Sequence, residues 1–155
     1  MVSLRFMEKK SSISVGKYNS LRVARMVDFG AYLDGGDMGD ILMPKKYLPD
    51  NVEVGNNIDA FIYRDSEDRL IATTEKPFAV VGEFAFLKVK TVTQHGAFLD
   101  WGLLKDLLVP YREQRSRMNV DESYIVYIFL DSNSGRIAAT EKYNKYLDNL
   151  APKYE

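Results

Sequence analysis

The stretch Phe29-Gly30-Ala31-Tyr32-Leu33-Asp34 returns 66 residues later as His95-Gly96-Ala97-Phe98-Leu99-Asp100. The match extends both ways from this block without a gap. Upstream, Gly16 falls on Gly82, Leu21 on Leu87 and Val23 on Val89. Downstream, Asp40-Ile41-Leu42-Met43-Pro44 meets Asp106-Leu107-Leu108-Val109-Pro110, and Ile71-Ala72-Thr73-Thr74-Glu75-Lys76 meets Ile137-Ala138-Ala139-Thr140-Glu141-Lys142. A register held over some sixty residues marks an internal duplication. The chain therefore reads as an N-terminal extension (1–15), one module (16–76), a short apolar joint (77–81), a second copy (82–142) and a tail (143–155). The joint, Pro77-Phe78-Ala79-Val80-Val81, is unlike a flexible Gly/Ser linker and is expected to be packed.

Each copy reads as short strands between turn residues. In the first, strands are expected at 18–27, 31–34, 40–43, 57–63 and 70–73, with Asp28-Phe29-Gly30, Gly35-Gly36-Asp37 and Asp65-Ser66-Glu67-Asp68 as turns. Leu21 and Val23 alternate with polar or small residues, the pattern of a strand with one buried face. The repeat places the second set at 84–93, 97–100, 106–109, 123–130 and 136–139. Five antiparallel strands with a longer link between the third and fourth describe an OB-type barrel. The expected fold is thus all-β, two tandem five-stranded OB-type barrels, with a short helix over 143–150.

Composition narrows the functions. The chain has 155 residues, no cysteine, one histidine and a net charge of −1. Disulfides and cysteine-bound zinc are excluded, and a reducing cytoplasm is the expected location. There is no long apolar run for a membrane span. Carboxylates crowd the first copy, but the duplicated ones, Asp34 with Asp100 and Asp40 with Asp106, sit at turns, where capping explains them. No nucleotide-binding loop or catalytic constellation is present. The chain is read as a non-enzyme without cofactor or metal.

The motifs resemble those of S1-type RNA-binding domains: a glycine before a long first strand, aromatic-Gly-Ala-aromatic, and closings at Arg69-Leu70-Ile71-Ala72-Thr73-Thr74-Glu75-Lys76 and Gly135-Arg136-Ile137-Ala138-Ala139-Thr140-Glu141-Lys142. Asp28 to Asp34, Ile41-Leu42-Met43-Pro44-Lys45-Lys46-Tyr47, Gly96 to Gly102, Lys105 to Pro110 and Tyr111-Arg112-Glu113-Gln114 are similar to the bacterial conserved virulence factor B family. That resemblance implies RNA binding, an influence on gene expression and no catalysis. It also implies a further S1-like unit and a winged-helix domain downstream in a full-length chain. One departure stands out. Where S1 units carry a histidine on the third strand, these copies have Met43 and Val109.

Strand alternation turns Tyr32 and Phe98 outward, with Phe29 and His95 at the rim of the same face. Bases stack on such rings, and cations meet the phosphates. The first copy carries 8 basic and 11 acidic residues, a net of −3, and the second 8 of each. Lys88 and Lys90 on the second copy's first strand, with Arg112 and Arg115 on its long connection, make it the expected phosphate binder. The expected partner is single-stranded RNA. The alternative is a protein-interaction module that positions a separate RNA-binding region.

Overall fold

The computed structural model describes residues 13–150. Most of the expected N-terminal extension and the last residues of the tail lie outside them. The chain divides between Lys76 and Pro77 into two units. Among the described residues, no helix is long and apolar enough to cross a membrane.

In the first unit, strands β1 (Tyr18–Val27), β2 (Gly30–Asp34), β3 (Asp40–Pro44), β4 (Asn57–Arg64) and β5 (Leu70–Thr73) form a closed barrel in the order β1-β2-β3-β5-β4. β1 belongs to both sides of it: Tyr18–Arg22 pair with β4, and Val23–Val27 with β2. The switch is a bulge. Val23 faces Leu33 and Arg25 faces Tyr32, so Ala24 is the extra residue that bends the strand. Alternate residues fill the interior: Val23, Ala31, Leu33, Ile41, Met43, Ala60, Ile62 and Ala72 are buried. Each large aliphatic there contributes about 1.5–3 kcal/mol.

The repeated glycine has a steric cause. A Cβ on Gly30 would stand 2.2 Å from the Met43 carbonyl oxygen, and one on Gly96 would stand 2.3 Å from that of Val109. Only a residue without a side chain lets the third strand close over the first turn. That closure is held by the Lys45 N–H donating to the Phe29 carbonyl at 2.9 Å.

The second unit repeats the plan with β6 (Phe84–Thr93), β7 (Gly96–Asp100), β8 (Leu107–Pro110), β9 (Ser123–Leu130) and β10 (Ile137–Thr140), in the order β10-β9-β6-β7-β8. Its bulge falls on Lys90. The expected architecture of two five-stranded OB-type units is present. Residues 77–81 are tied to this unit by the Phe78 N–H, which donates to the Trp101 carbonyl at 2.8 Å.

One strand departs from the repeat. The sequence places the last strand at 136–139, but it runs Ile137–Thr140. The preceding hairpin is the reason. In the first unit Asp65 N–H reaches the Arg69 carbonyl; in the second Asp131 N–H reaches the Arg136 carbonyl, one residue further on. The loop ends on Asp68 at φ 70 in one case and on Gly135 at φ 74 in the other. Ile62 therefore faces Ala72, whereas Ile128 faces Ala139 rather than Ala138. A slip of one residue turns each side chain of a strand to the other face. The parallel bridge that closes the first barrel, Leu42 to Ile71, has no registered counterpart between β8 and β10.

The expected C-terminal helix is α1 (Asn144–Leu150). Its Tyr146 ring stacks on Tyr127 at 4.2 Å, and Tyr143 meets Phe84 edge-on at 5.2 Å. These contacts cover part of the outer face of the second unit.

Candidate functional site

The strand registers of the first unit build a continuous outward row. Arg25 pairs with Tyr32, Tyr32 with Leu42, and Leu42 with Ile71. Ala31 and Leu33 on either side of Tyr32 are fully buried, so the ring stands on the outer face. The Arg25 guanidinium carbon lies 4.1 Å from the Tyr32 ring centre. A cation over an aromatic face is attracted by the ring quadrupole. Asp40 holds Arg25 from the side, with Oδ2 3.7 Å from Nε. Phe29 meets Tyr32 edge-on at 6.2 Å and is 57% exposed.

Tyr32, Leu42 and Ile71 of this row floor a groove of about 570 Å³, lined also by Met38 and by the charged residues Asp40, Arg64, Asp65 and Arg69. The volume falls within the range of small-ligand sites. The charges gather at one end because β3 and β5 are parallel and both start there, where β4 ends. Arg69 is fixed by Asp65, whose Oδ2 accepts from Nε at 3.0 Å and also lies 3.0 Å from Nη2. Burial works to raise the Asp65 carboxyl, but the Arg69 and Glu67 backbone N–H groups and the Arg69 guanidinium outweigh it and hold it below the usual range. Arg64 Nη1 donates to the Asp68 carbonyl at 2.9 Å.

In the second unit the row reads Thr91, Phe98, Leu108. Phe98 is half-buried like Tyr32, but Thr91 stands where Arg25 does. Leu130 replaces Arg64, and Leu104, in the place of Met38, is 75% exposed. Arg136 takes the backbone place of Arg69, yet the Asp131 carboxyl is engaged by the Ser134 hydroxyl at 2.9 Å. That hydroxyl and the Asn133 N–H hold Asp131 below the usual carboxylate range.

The remaining expected site residues are scattered. His95 is exposed in the β6–β7 turn, its backbone N–H donating to Thr93 Oγ1 at 3.0 Å. Lys88 is exposed opposite Asp100, with no ion pair among the described residues. Lys90 sits on the bulge with Nζ 3.5 Å from Asp106 Oδ1, an enclosed oxygen without a hydrogen bond. Arg112 is exposed beside Glu113, 3.9 Å away. Arg115 lies 4.8 Å over the Tyr143 ring, and its backbone N–H donates to Glu141 Oε1 at 2.8 Å, which commits it to the C-terminal segment. The side chains that reach the His95 turn come from the same connection as Arg112 and Arg115. Tyr111 donates its hydroxyl to the Thr93 carbonyl, and Arg117 stacks 4.5 Å over Tyr111. Their signal was an aromatic and an arginine on one connection. Among the described residues, no three His, Asp or Glu side chains gather in a metal-binding group.

Comparison with known proteins bears on this geometry. The S1 domain family pattern matches residues 15–75 and again 81–142. An uncharacterized protein, YitL, of Bacillus subtilis is 32% identical over 102 residues, 65% of this chain and 34% of its own length. Conserved virulence factor B of Staphylococcus aureus (strain USA300) is 34% identical over 64 residues, 41% of this chain and 21% of its own. A crystal structure of a multidomain protein with nucleic acid binding domains from Streptococcus pneumoniae superposes with a TM-score of 0.69 at 19% identity, over 91% of this chain and 50% of that one. The chain thus aligns with about a third or less of the curated relatives it matches.

Proposed function

Because the chain belongs to the S1 domain family, with one unit at 15–75 and another at 81–142, we propose that it binds single-stranded RNA without catalysing a reaction on it, in the cytoplasm and in the service of gene regulation. One observation carries this reading: the Arg25–Tyr32 stack on the outer face of an OB-type barrel, at the mouth of a groove with two more arginines. That strand-two and strand-three face, with the loop between strands four and five, is where OB folds take oligonucleotides. Every base has a π-face, so a ring such as Tyr32 or Phe98 accepts any of them, at about 1–3 kcal/mol per base. Phe29 and His95 flank the two rings. Lys88, Lys90, Arg112 and Arg115 supply positive charge on the second unit, with Lys90 and Arg115 free to serve only by leaving Asp106 and Tyr143.

The test is a titration of a labelled single-stranded RNA of about 15–20 nucleotides, long enough to cover the OB-fold site sizes, at low and raised salt. Binding weakens as salt rises if phosphates are neutralised. Affinity no tighter than millimolar, unchanged in the Tyr32→Ala, Phe98→Ala double variant, sinks the proposal.

A second reading has its own observation. Phe86 and Ile125 are cross-strand partners, 71% and 52% exposed, where the first unit has Ser20 and Asp59. An apolar pair on an outer sheet face suits a protein partner. On this reading the two units position an RNA-binding region further along a longer chain, such as an added S1-like unit with a winged-helix domain. A longer chain that binds RNA no better than this one speaks against it.

A further inference from the structure

Two residues before the Leu42–Ile71 bridge, Asp40 and Arg69 stand on neighbouring segments that run the same way. Side chains two apart on a strand share a face. Asp40 therefore projects on the face of Leu42, and Arg69 leads in on the face of Ile71, at the charged end of the groove floored by Tyr32. A carboxylate and a guanidinium flank one end of a stacking platform. Both are partly held: Asp40 by Arg25 at 3.7 Å, and Arg69 by Asp65 through Nε and Nη2, with Glu67 Oε1 3.6 Å from the same Nη2. Arg69 keeps further N–H donors of its five in a fixed orientation.

We infer that the groove of the first unit is selective for guanine in single-stranded RNA; this rests on the reading of the outer face as an RNA site. Every base stacked on Tyr32 turns an edge toward Asp40 and Arg69. Guanine alone offers the carboxylate two adjacent donors, N1–H and N2–H, beside an acceptor, O6, for the guanidinium. Adenine and cytosine offer one amino group next to an acceptor. Uracil offers one imide N–H between two carbonyls, which a carboxylate repels. Charge-assisted bidentate pairs are the strong and directional ones, and unstacked RNA bases are read on these edges. In the second unit the matching carboxylate is more enclosed, the Asp106 side chain being 20% exposed against 45% for Asp40.

The experiment uses the 155-residue chain and labelled uridine heptamers carrying one central guanine, adenine, cytosine or uracil, with free guanosine monophosphate as a further arm. The expected result is at least about five-fold tighter binding of the guanine heptamer than of all-uridine, the low end of what one bidentate base contact discriminates. In Asp40→Asn that ratio falls toward one. Asp40 is exposed at a strand end, and a melting curve establishes that the variant is folded. If Asp40→Asn does not fold, Arg69→Gln takes its place with the same expected fall. Equal binding of all four heptamers overturns the selectivity and leaves RNA binding standing, whereas no binding of any heptamer removes both. A guanine preference that survives Asp40→Asn overturns the assignment to this groove. Free guanosine monophosphate bound as tightly as the guanine heptamer overturns RNA as the source of the base.

Discussion

Arg25 lies with its guanidinium 4.1 Å from the centre of the Tyr32 ring, and the bulge at Ala24 is what brings the two opposite each other. Parity counted from Leu21 and Val23 sends residue 25 into the core; the extra residue sends it out. The stack prepares a ring and a phosphate-seeking cation at one point.

Arg25→Thr, which installs the second unit's residue, weakens RNA binding and lowers the magnitude of the slope of log K against log salt by about 0.7, the loss of one phosphate contact on a single strand. Fluorescence anisotropy over a salt series measures both. An unchanged slope means that Arg25 meets no phosphate.

Tyr32→Ala is expected to cost more RNA affinity than Phe98→Ala. A lost base stack is worth about 1–3 kcal/mol, and Tyr32 has the cations and the groove beside it. Charge counts favour the second unit; the placement of the arginines favours the first. Parallel titrations of the two single variants decide between them.

Gly96→Ala forces a Cβ to within 2.3 Å of the Val109 carbonyl oxygen, at a φ of 143. A destabilisation of about 2–4 kcal/mol is expected, from overpacking and backbone strain together. Urea unfolding of wild type and variant gives the difference, and Gly30→Ala behaves alike in the first unit.

Tyr63 is 6% exposed, and burial first, then Tyr47, Glu75 and Asp65, pushes its hydroxyl up to about 12. The folded chain keeps the proton to higher pH than the unfolded chain, whose tyrosines ionise near 10. The stabilising contribution is whole below pH 10 and is lost as pH rises toward 12, about 2–3 kcal/mol in all. Tyrosinate absorbance and melting temperature, followed from pH 9 to 12 (a window set by the ordinary tyrosine value), test the sign. A Tyr63 that ionises at 10 refutes it.

Much of the fold was legible because it is periodic. The alternation at Leu21 and Val23, and the turn glycines, place all ten strands to within a residue at each end. For Leu107–Pro110 and Ile137–Thr140 they place both ends one residue early. An ungapped repeat does not show that Gly135 closes its turn one residue later than Asp68 does. The site was less legible. Tyr32 and Phe98 followed from parity, being next to fully buried neighbours. Arg25 is hidden by a bulge, and Lys90, expected to point outward, is exposed and lies 3.5 Å from Asp106. Arg115, expected among the phosphate-binding arginines of one connection, lies over Tyr143 of the C-terminal segment.

The duplication, the aromatic-Gly-Ala-aromatic block and the polar alternation by themselves determined two S1-type barrels with an aromatic residue turned outward on each second strand. These are local patterns, fixed by the two-residue period of a strand and by steric closure over Gly30 and Gly96. Only the tertiary structure decided that the two copies differ in kind. One has a closed barrel with Arg25 on Tyr32 and with Asp40 and Arg69 lining one groove; the other has no registered bridge between β8 and β10, Thr91 beside Phe98, and Lys90 held at Asp106. Bulge position, hairpin length and ion pairing between strands depend on contacts distant in sequence, so a register that repeats perfectly along the chain does not repeat in space.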